Sequence, residues 1–217
     1  MSAERWRLGF LASHRGSNME AIIAACHDGR IQADPVLVIS NNRDAMALQR
    51  AARAGVPAMH LGAGDYPDAQ ALDGAIAAAL KLHAVELVLL AGYMKRLGPL
   101  TLAAFPQRVI NIHPGLLPRY GGQGMYGGRV HAAVVAAREK ETGITVHVVD
   151  GEYDHGAILA VRHVPVLPGE TAEDLAARML PMEHELYVNT VSDIVAGRLA
   201  LPQSSPQACE KPLQSDS

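Results

Sequence analysis

Short apolar runs that alternate with helical stretches constrain this chain more than any other feature. Leu8–Ala12, Pro35–Ser40, Val56–Leu61 and Glu86–Leu90 are each long enough for a buried strand and too short for a helix. Three helical stretches fall between them. One begins at Ser17-Asn18-Met19-Glu20 and puts Met19, Ile22, Ile23 and Cys26 on one face. A second covers Ala45–Ala54 and closes at Gly55, and a third covers Asp68–Leu82. Ser17 and Glu20 have capping-box spacing, and Asp44 is placed to cap the second helix. Repeats of this length imply right-handed crossovers and a parallel sheet. Pro57 puts the third run at a sheet edge or delays its start. The expected fold is α/β and Rossmann-like: one domain of about residues 1–200, with a mostly parallel central sheet and helices on both faces. Its nucleotide-binding half is expected at about 7–105 and its second half at about 106–199. Residues 201–217, rich in Ser, Pro and Gln, read as a disordered tail.

In the second half, Val109-Ile110-Asn111-Ile112-His113-Pro114 is the stretch that carries chemistry. Residues two apart on an extended backbone point to the same side, so an amide and an imidazole can face a common substrate. Pro114 turns the chain out of the strand at that point. A lone Asn-x-His reads as turn hydrogen bonding, and the weight comes from what surrounds it. Arg119–Gly128 holds five glycines in ten residues and is expected to be a mobile loop, a surface connection or a lid that excludes water. A helix over Arg129–Arg138, strands over Gly143–Val149 and Ile158–Val166, and a long helix from Glu170 or Thr171 to about Ala196, kinked at Pro181, complete the second half.

Composition narrows the class. A net charge of −3 gives no basic field for nucleic acid, and no apolar run approaches the length of a membrane span. Met1–Arg7 lacks the apolar core of a signal peptide, so a cytoplasmic location is expected. Cys26 and Cys209 form no disulfide framework and no metal-binding pair. Ten histidines show no ligand spacing such as HExxH, so no metal is expected. The partners expected are small molecules, with no nucleic acid and no membrane, and the state a monomer or homodimer.

Asn111-Ile112-His113-Pro114 followed by Leu116-Leu117-Pro118, with Asp154-His155-Gly156 further on, resembles the folate-dependent formyltransferases, above all the branch acting on glycinamide ribonucleotide in purine synthesis. The resemblance runs from about Leu8 to Leu199. It implies the formyltransferase fold and the co-substrate 10-formyltetrahydrofolate, whose formyl group passes to the primary amine of the ribonucleotide. It also implies that the half from about 106 to 199 is the folate and catalytic half. On the matching positions, Asn111, His113 and Asp154 are catalytic, Asp154 raising the pKa of His113. Gly16, Ser17 and Asn18 hold the substrate phosphate at a helix start, and Glu183 approaches the ribose hydroxyls. Met94, Lys95, Arg96 and Leu97, with Asn111, line the folate pocket. His14 stands where many relatives have glycine, at the phosphate or at its rim. A folate-site arginine of some relatives has no match in Asp68-Ala69-Gln70-Ala71. A hydrolase releasing formate from the same folate, or a sugar-nucleotide N-formyltransferase, would share the same three catalytic residues. A formyltransferase for methionyl transfer RNA would carry an RNA-binding domain and a basic surface, and a noncatalytic ribonucleotide-binding protein would keep the phosphate loop without needing Asn111, His113 and Asp154 together.

Overall fold

The apolar runs become strands of one sheet. The computed structural model describes Arg5–Gln203. In chain order the elements are β1 (Trp6–Leu11), α1 (Ser17–His27), β2 (Ala33–Ser40), α2 (Met46–Arg53), β3 (Ala58–His60), α3 (Ala69–Leu82), β4 (Leu87–Leu90), α4 (Pro99–Ala104), β5 (Val109–His113), α5 (Gly128–Ala136), β6 (Glu141–Val148), β7 (Ile158–Pro165) and α6 (Ala172–Val195). The sheet order is β3-β2-β1-β4-β5-β6-β7. The strands from β3 through β5 pair in parallel, while β6 and β7 pair antiparallel. The strand carrying Pro57 at its approach is an edge strand, and it starts late, at Ala58.

Alternation along each strand divides the core in two. Leu8, Phe10, Leu87, Leu89, Ile110, Ile112, Ile144 and Val146 pack on the face covered by α1, α5 and α6. Leu11, Leu37, Ile39, Val88, Leu90 and Val109 pack on the opposite face with Ile76 and Leu80 of α3 and Phe105 after α4. Each fully buried Leu or Ile contributes roughly 1.5–3 kcal/mol. Asn111 and His113 follow Val109 on the second face by the same two-residue period. Across the sheet, Tyr187 of α6 is fully buried, and its hydroxyl lies 3.1 Å from the carbonyl oxygens of both Leu90 and Ile110.

Helix starts depart from the sequence expectation more than strands do. The capping box expected of Ser17 and Glu20 is absent. The N-cap is Gly16 in the left-handed region, with no side-chain cap, and the Glu20 carboxylate pairs instead with Arg50. Asp44 does not cap α2, whose N-cap is Ala45. The capping box of the chain belongs to α6, where Thr171 and Asp174 exchange bonds. That helix continues unbroken through Pro181. Helix α4, six residues long and starting at Gly98-Pro99, has no counterpart among the expected elements. Its cap comes from a different helix. The buried Asp73 carboxylate of α3 accepts from the Leu100 and Thr101 N–H groups at 2.7 and 3.1 Å and from the Thr101 hydroxyl. The tail expected beyond residue 200 lies outside the described residues, apart from Leu201–Gln203, as does Cys209. Among the described residues no helix is long and apolar enough to cross a membrane.

Candidate active site

The order of strands reverses between β1 and β4, and a cavity of about 610 Å³ opens there at the carboxyl ends of β1, β4 and β5. Crevices at such switch points are where open α/β sheets hold ligands. One wall is Arg15 and Asn18 at the start of α1, and another is Gly92–Leu97 after β4. A third is α6, and the loops at 122–128 and 149–154 close the rest.

The reactive face is built by pairing register. Antiparallel pairing of β5 with β6 sets His147 opposite Asn111 and Thr145 opposite His113. Opposed residues share a face, so the four side chains become neighbours. His147 Nδ1 donates to the Val148 carbonyl at 2.9 Å, which leaves Nε2 to accept from Asn111 Nδ2 at 3.1 Å. One amide hydrogen of Asn111 is thereby fixed, and the other is available to the cavity. The Thr145 hydroxyl donates to the Gly115 carbonyl at 2.7 Å and accepts from the Leu117 N–H, pinning the turn after His113.

His113 Nε2 lies 2.7 Å from the Tyr120 carbonyl, which can only accept, so Nε2 carries a proton. Nδ1 is then the nitrogen that gains or loses one, and Asp154 Oδ2 stands 3.6 Å from it. Asp154 Oδ1 lies 3.5 Å from His147 Nε2, and the Gly122 N–H donates to Oδ2 at 3.0 Å. The expected rise in the His113 pKa is not what the site produces. His113 is buried, and loss of solvent lowers its pKa from the ordinary value. The pull of Asp154 and the Tyr120 bond only partly offset this, and His147 adds to the lowering. Burial pushes Asp154 up, but His147, His113 and the Gly122 N–H outweigh it and hold the carboxyl below its ordinary value. Asp154 has φ +53°, an uncommon conformation for a residue other than glycine. Gly156 keeps it there: a Cβ at 156 would lie 2.0 Å from the Val148 carbonyl oxygen, so only glycine lets the loop cross β6 so closely.

On the opposite wall, Asn18 donates through Nδ2 to Glu183 at 3.0 Å, and its buried Oδ1 has no partner among the described residues. Burial pushes the Glu183 carboxyl up to about 6, the Asn18 bond only partly restraining it. The Arg96 guanidinium reaches the Gly151 carbonyl, tying the segment after β4 to the loop that carries Asp154.

A family model described as "Formyl transferase" matches residues 6–191. The chain belongs to the formyl transferase family. It is 37% identical over 195 residues to the phosphoribosylglycinamide formyltransferase of Haemophilus influenzae, covering 90% of each chain. It is 38% identical to the chloroplastic enzyme of that name from Arabidopsis thaliana, over 90% of this chain and 67% of the relative. Among solved structures, glycinamide ribonucleotide transformylase 1 of Symbiobacterium toebii superimposes with a TM-score of 0.86 at 40% identity, covering 91% of each chain.

Most of the residues singled out from the sequence meet in this formyl transferase's cavity. Asn18, Met94, Lys95, Arg96, Leu97, Asn111, His113, Asp154 and Glu183 all line it, and Glu183 is buried rather than an exposed helix acid. Gly16 and Ser17 are not among its lining residues. Gly16 answers first to packing, because at φ +65° a Cβ would lie 2.8 Å from Ala47 Cβ. His14 is exposed and faces a smaller cleft with Asn42 and Asp44, its carbonyl taking the Ala47 N–H at 3.0 Å. Sequence reasoning missed His147, His131 and Arg15. His147 could have been found from its place two residues after Thr145 in an alternating strand, once that strand is paired to β5. Among the described residues no group of three or more His, Cys, Asp or Glu side chains could hold a metal ion.

Proposed function

We propose that this formyl transferase moves the formyl group of 10-formyltetrahydrofolate to the amine of N1-(5-phospho-D-ribosyl)glycinamide, a step of purine (IMP) synthesis. The observation that carries the reading is one cavity joining two kinds of wall. A helix start with an unpartnered Asn18 oxygen and Glu183 stands on one side, and the Asn111–His113–Asp154 group on the other. The names of relatives at 37–38% identity agree with it.

The acceptor amine attacks the formyl carbon, and the carbonyl oxygen becomes an oxyanion. The Asn111 hydrogen not held by His147 donates to that oxygen. The amine proton passes through His113 Nδ1 to the folate nitrogen, whose bond to the formyl carbon breaks, leaving N-formyl product and tetrahydrofolate. Burial keeps His113 neutral and able to accept, and Asp154 stabilises the cation while the proton is in transit. No side-chain nucleophile is needed. Met94, Lys95, Arg96 and Leu97 supply the apolar and cationic edge that a pterin with its acidic tail would use. The turn at Gly16, Ser17 and Asn18 holds the acceptor phosphate through its backbone N–H groups, and the side chains of Glu183 and Asn18 face the ribose hydroxyls. The half at about 106–199 supplies the proton chemistry and most of the cavity's lining, and the half at about 7–105 supplies the turn that holds the phosphate and the segment after β4.

The test follows loss of 10-formyltetrahydrofolate by purified protein, with and without the ribonucleotide. Consumption that requires the nucleotide and yields its N-formyl product is expected. Equal consumption without it, with formate appearing, would replace the transferase with a hydrolase.

A further inference from the structure

We infer that Arg15 is the charge partner of the acceptor's phosphate and sets the preference for a phosphorylated acceptor over its nucleoside; this rests on the ribonucleotide reading of the cavity. The face of α6 opposite the start of α1 lines the cavity with Glu173, Ala176, Ala177, Leu180 and Glu183, at the three- and four-residue spacing of one helix side. That wall holds two acids and no cation. A phosphate seated between α1 and α6 must therefore be neutralised from the α1 side.

The first backbone bond of α1 is Glu20 N–H to the Gly16 carbonyl at 3.0 Å, so the N–H groups of the preceding turn are free for an anion. A helix start alone specifies no ligand. The second observation is Asn18, about nine-tenths buried and lining the cavity, with an Oδ1 that has no partner among the described residues. A buried acceptor of this kind needs a donor, and a sugar hydroxyl supplies one. The cavity's cation on the α1 side is the residue that precedes Gly16.

That residue is Arg15. It is exposed, lines the cavity, and enters no ion pair or side-chain hydrogen bond among the described residues. The cavity's other two cations, Lys95 and Arg96, follow β4, and Arg96 is engaged with the Gly151 carbonyl. A guanidinium presents two parallel donors to a phosphate, so its loss differs from that of a simple positive charge.

The test compares Arg15→Gln and Arg15→Lys with the unaltered chain. Binding of ribose 5-phosphate and of ribose is measured by calorimetry, and transfer is measured to the ribonucleotide and to its dephosphorylated riboside. Arg15→Gln is expected to weaken ribose 5-phosphate binding about ten- to a hundredfold, the range for a charge-assisted bond. The KM for the ribonucleotide should rise by a similar factor with kcat held, and the ribonucleotide-to-riboside ratio of kcat/KM should fall accordingly. Arg15→Lys should fall between. Unchanged ribose 5-phosphate affinity in Arg15→Gln, or an equal loss for ribose, would overturn the assignment. If the ribonucleotide fails as an acceptor while ribose 5-phosphate binding still depends on Arg15, the acceptor is wrong and the phosphate site stands.

Discussion

The two ends of the sheet contribute to the cavity in different ways. From β1 to β4 the strands are parallel, and each is followed by a turn into a helix or loop. Such a strand delivers one end to the site. What it offers there is backbone and loop residues: the start of α1 after β1, and Met94–Leu97 after β4. From β5 to β7 the pairing is antiparallel, and side chains on neighbouring strands face each other at close range. Asn111 gains His147, and His113 gains Thr145, without any loop being needed. A parallel end suits holding a ligand, and an antiparallel end suits assembling groups that must share a proton.

The largest expected effect tests that division directly. His113→Ala should lower kcat by about 10²–10⁴ with a small change in acceptor KM, in a chain that still folds but loses about 1–3 kcal/mol because the Tyr120 carbonyl is left without its partner. If steady-state kinetics showed KM rising as much as kcat falls, the division between holding and reacting would fail. Gly156→Ala comes next. Its Cβ would meet the Val148 carbonyl oxygen, so the loop must shift and carry Asp154 away. Urea titration should show a loss of about 1–3 kcal/mol together with reduced kcat. Asp73→Ala acts at the parallel end alone, removing the cap of α4 at about 1–2 kcal/mol. Its kcat should stay near that of the unaltered chain, and a large drop would show that α4 couples to the chemistry.

Glu183→Gln sharpens the comparison through pH. The Glu183 carboxyl is raised from 4.5 to about 6 in the folded chain, so the folded state holds that proton more tightly than the unfolded one. The stability this adds is present below about pH 4.5 and lost as pH rises through 6. The stability of the unaltered chain relative to Glu183→Gln should thus fall by at most about 2 kcal/mol across that window. Denaturant titrations at several pH values read the difference, and a flat difference would remove the burial argument. His113 has the opposite sign: its lowered pKa favours the folded state above the ordinary histidine value and costs stability as pH falls through it.

Strands such as β1, β2 and β4 were legible in the sequence because burial on both faces leaves an apolar run too short to be a buried helix. Pro57 even gave the edge position of β3. Helix starts were less legible. Ser17 and Glu20 have the right spacing, but the chain enters α1 through a left-handed Gly16 packed on Ala47, and that packing has no local signature. The cap of α4 comes from Asp73 on another helix, so no window around α4 contains it. Asn111 and His113 share one face of one strand, but it was the resemblance carried by the neighbouring Leu116-Leu117-Pro118 and Asp154-His155-Gly156 that gave them weight. His147 was not visible, since its role follows from pairing register. The direction of the His113 pKa was misread because a carboxylate is visible in sequence and loss of solvent is not.

Tyr187 has a consequence for how ligands enter. Its single hydroxyl faces both the last carbonyl of β4 and a carbonyl of β5, on the two sides of the seam below the cavity. Prising those strands apart would strand a buried hydroxyl, at a cost of about 1–3 kcal/mol. The seam is latched, and the acid at 183 stands one turn earlier on the same helix. Traffic into the cavity must then pass between the loops that wall it and not through its floor.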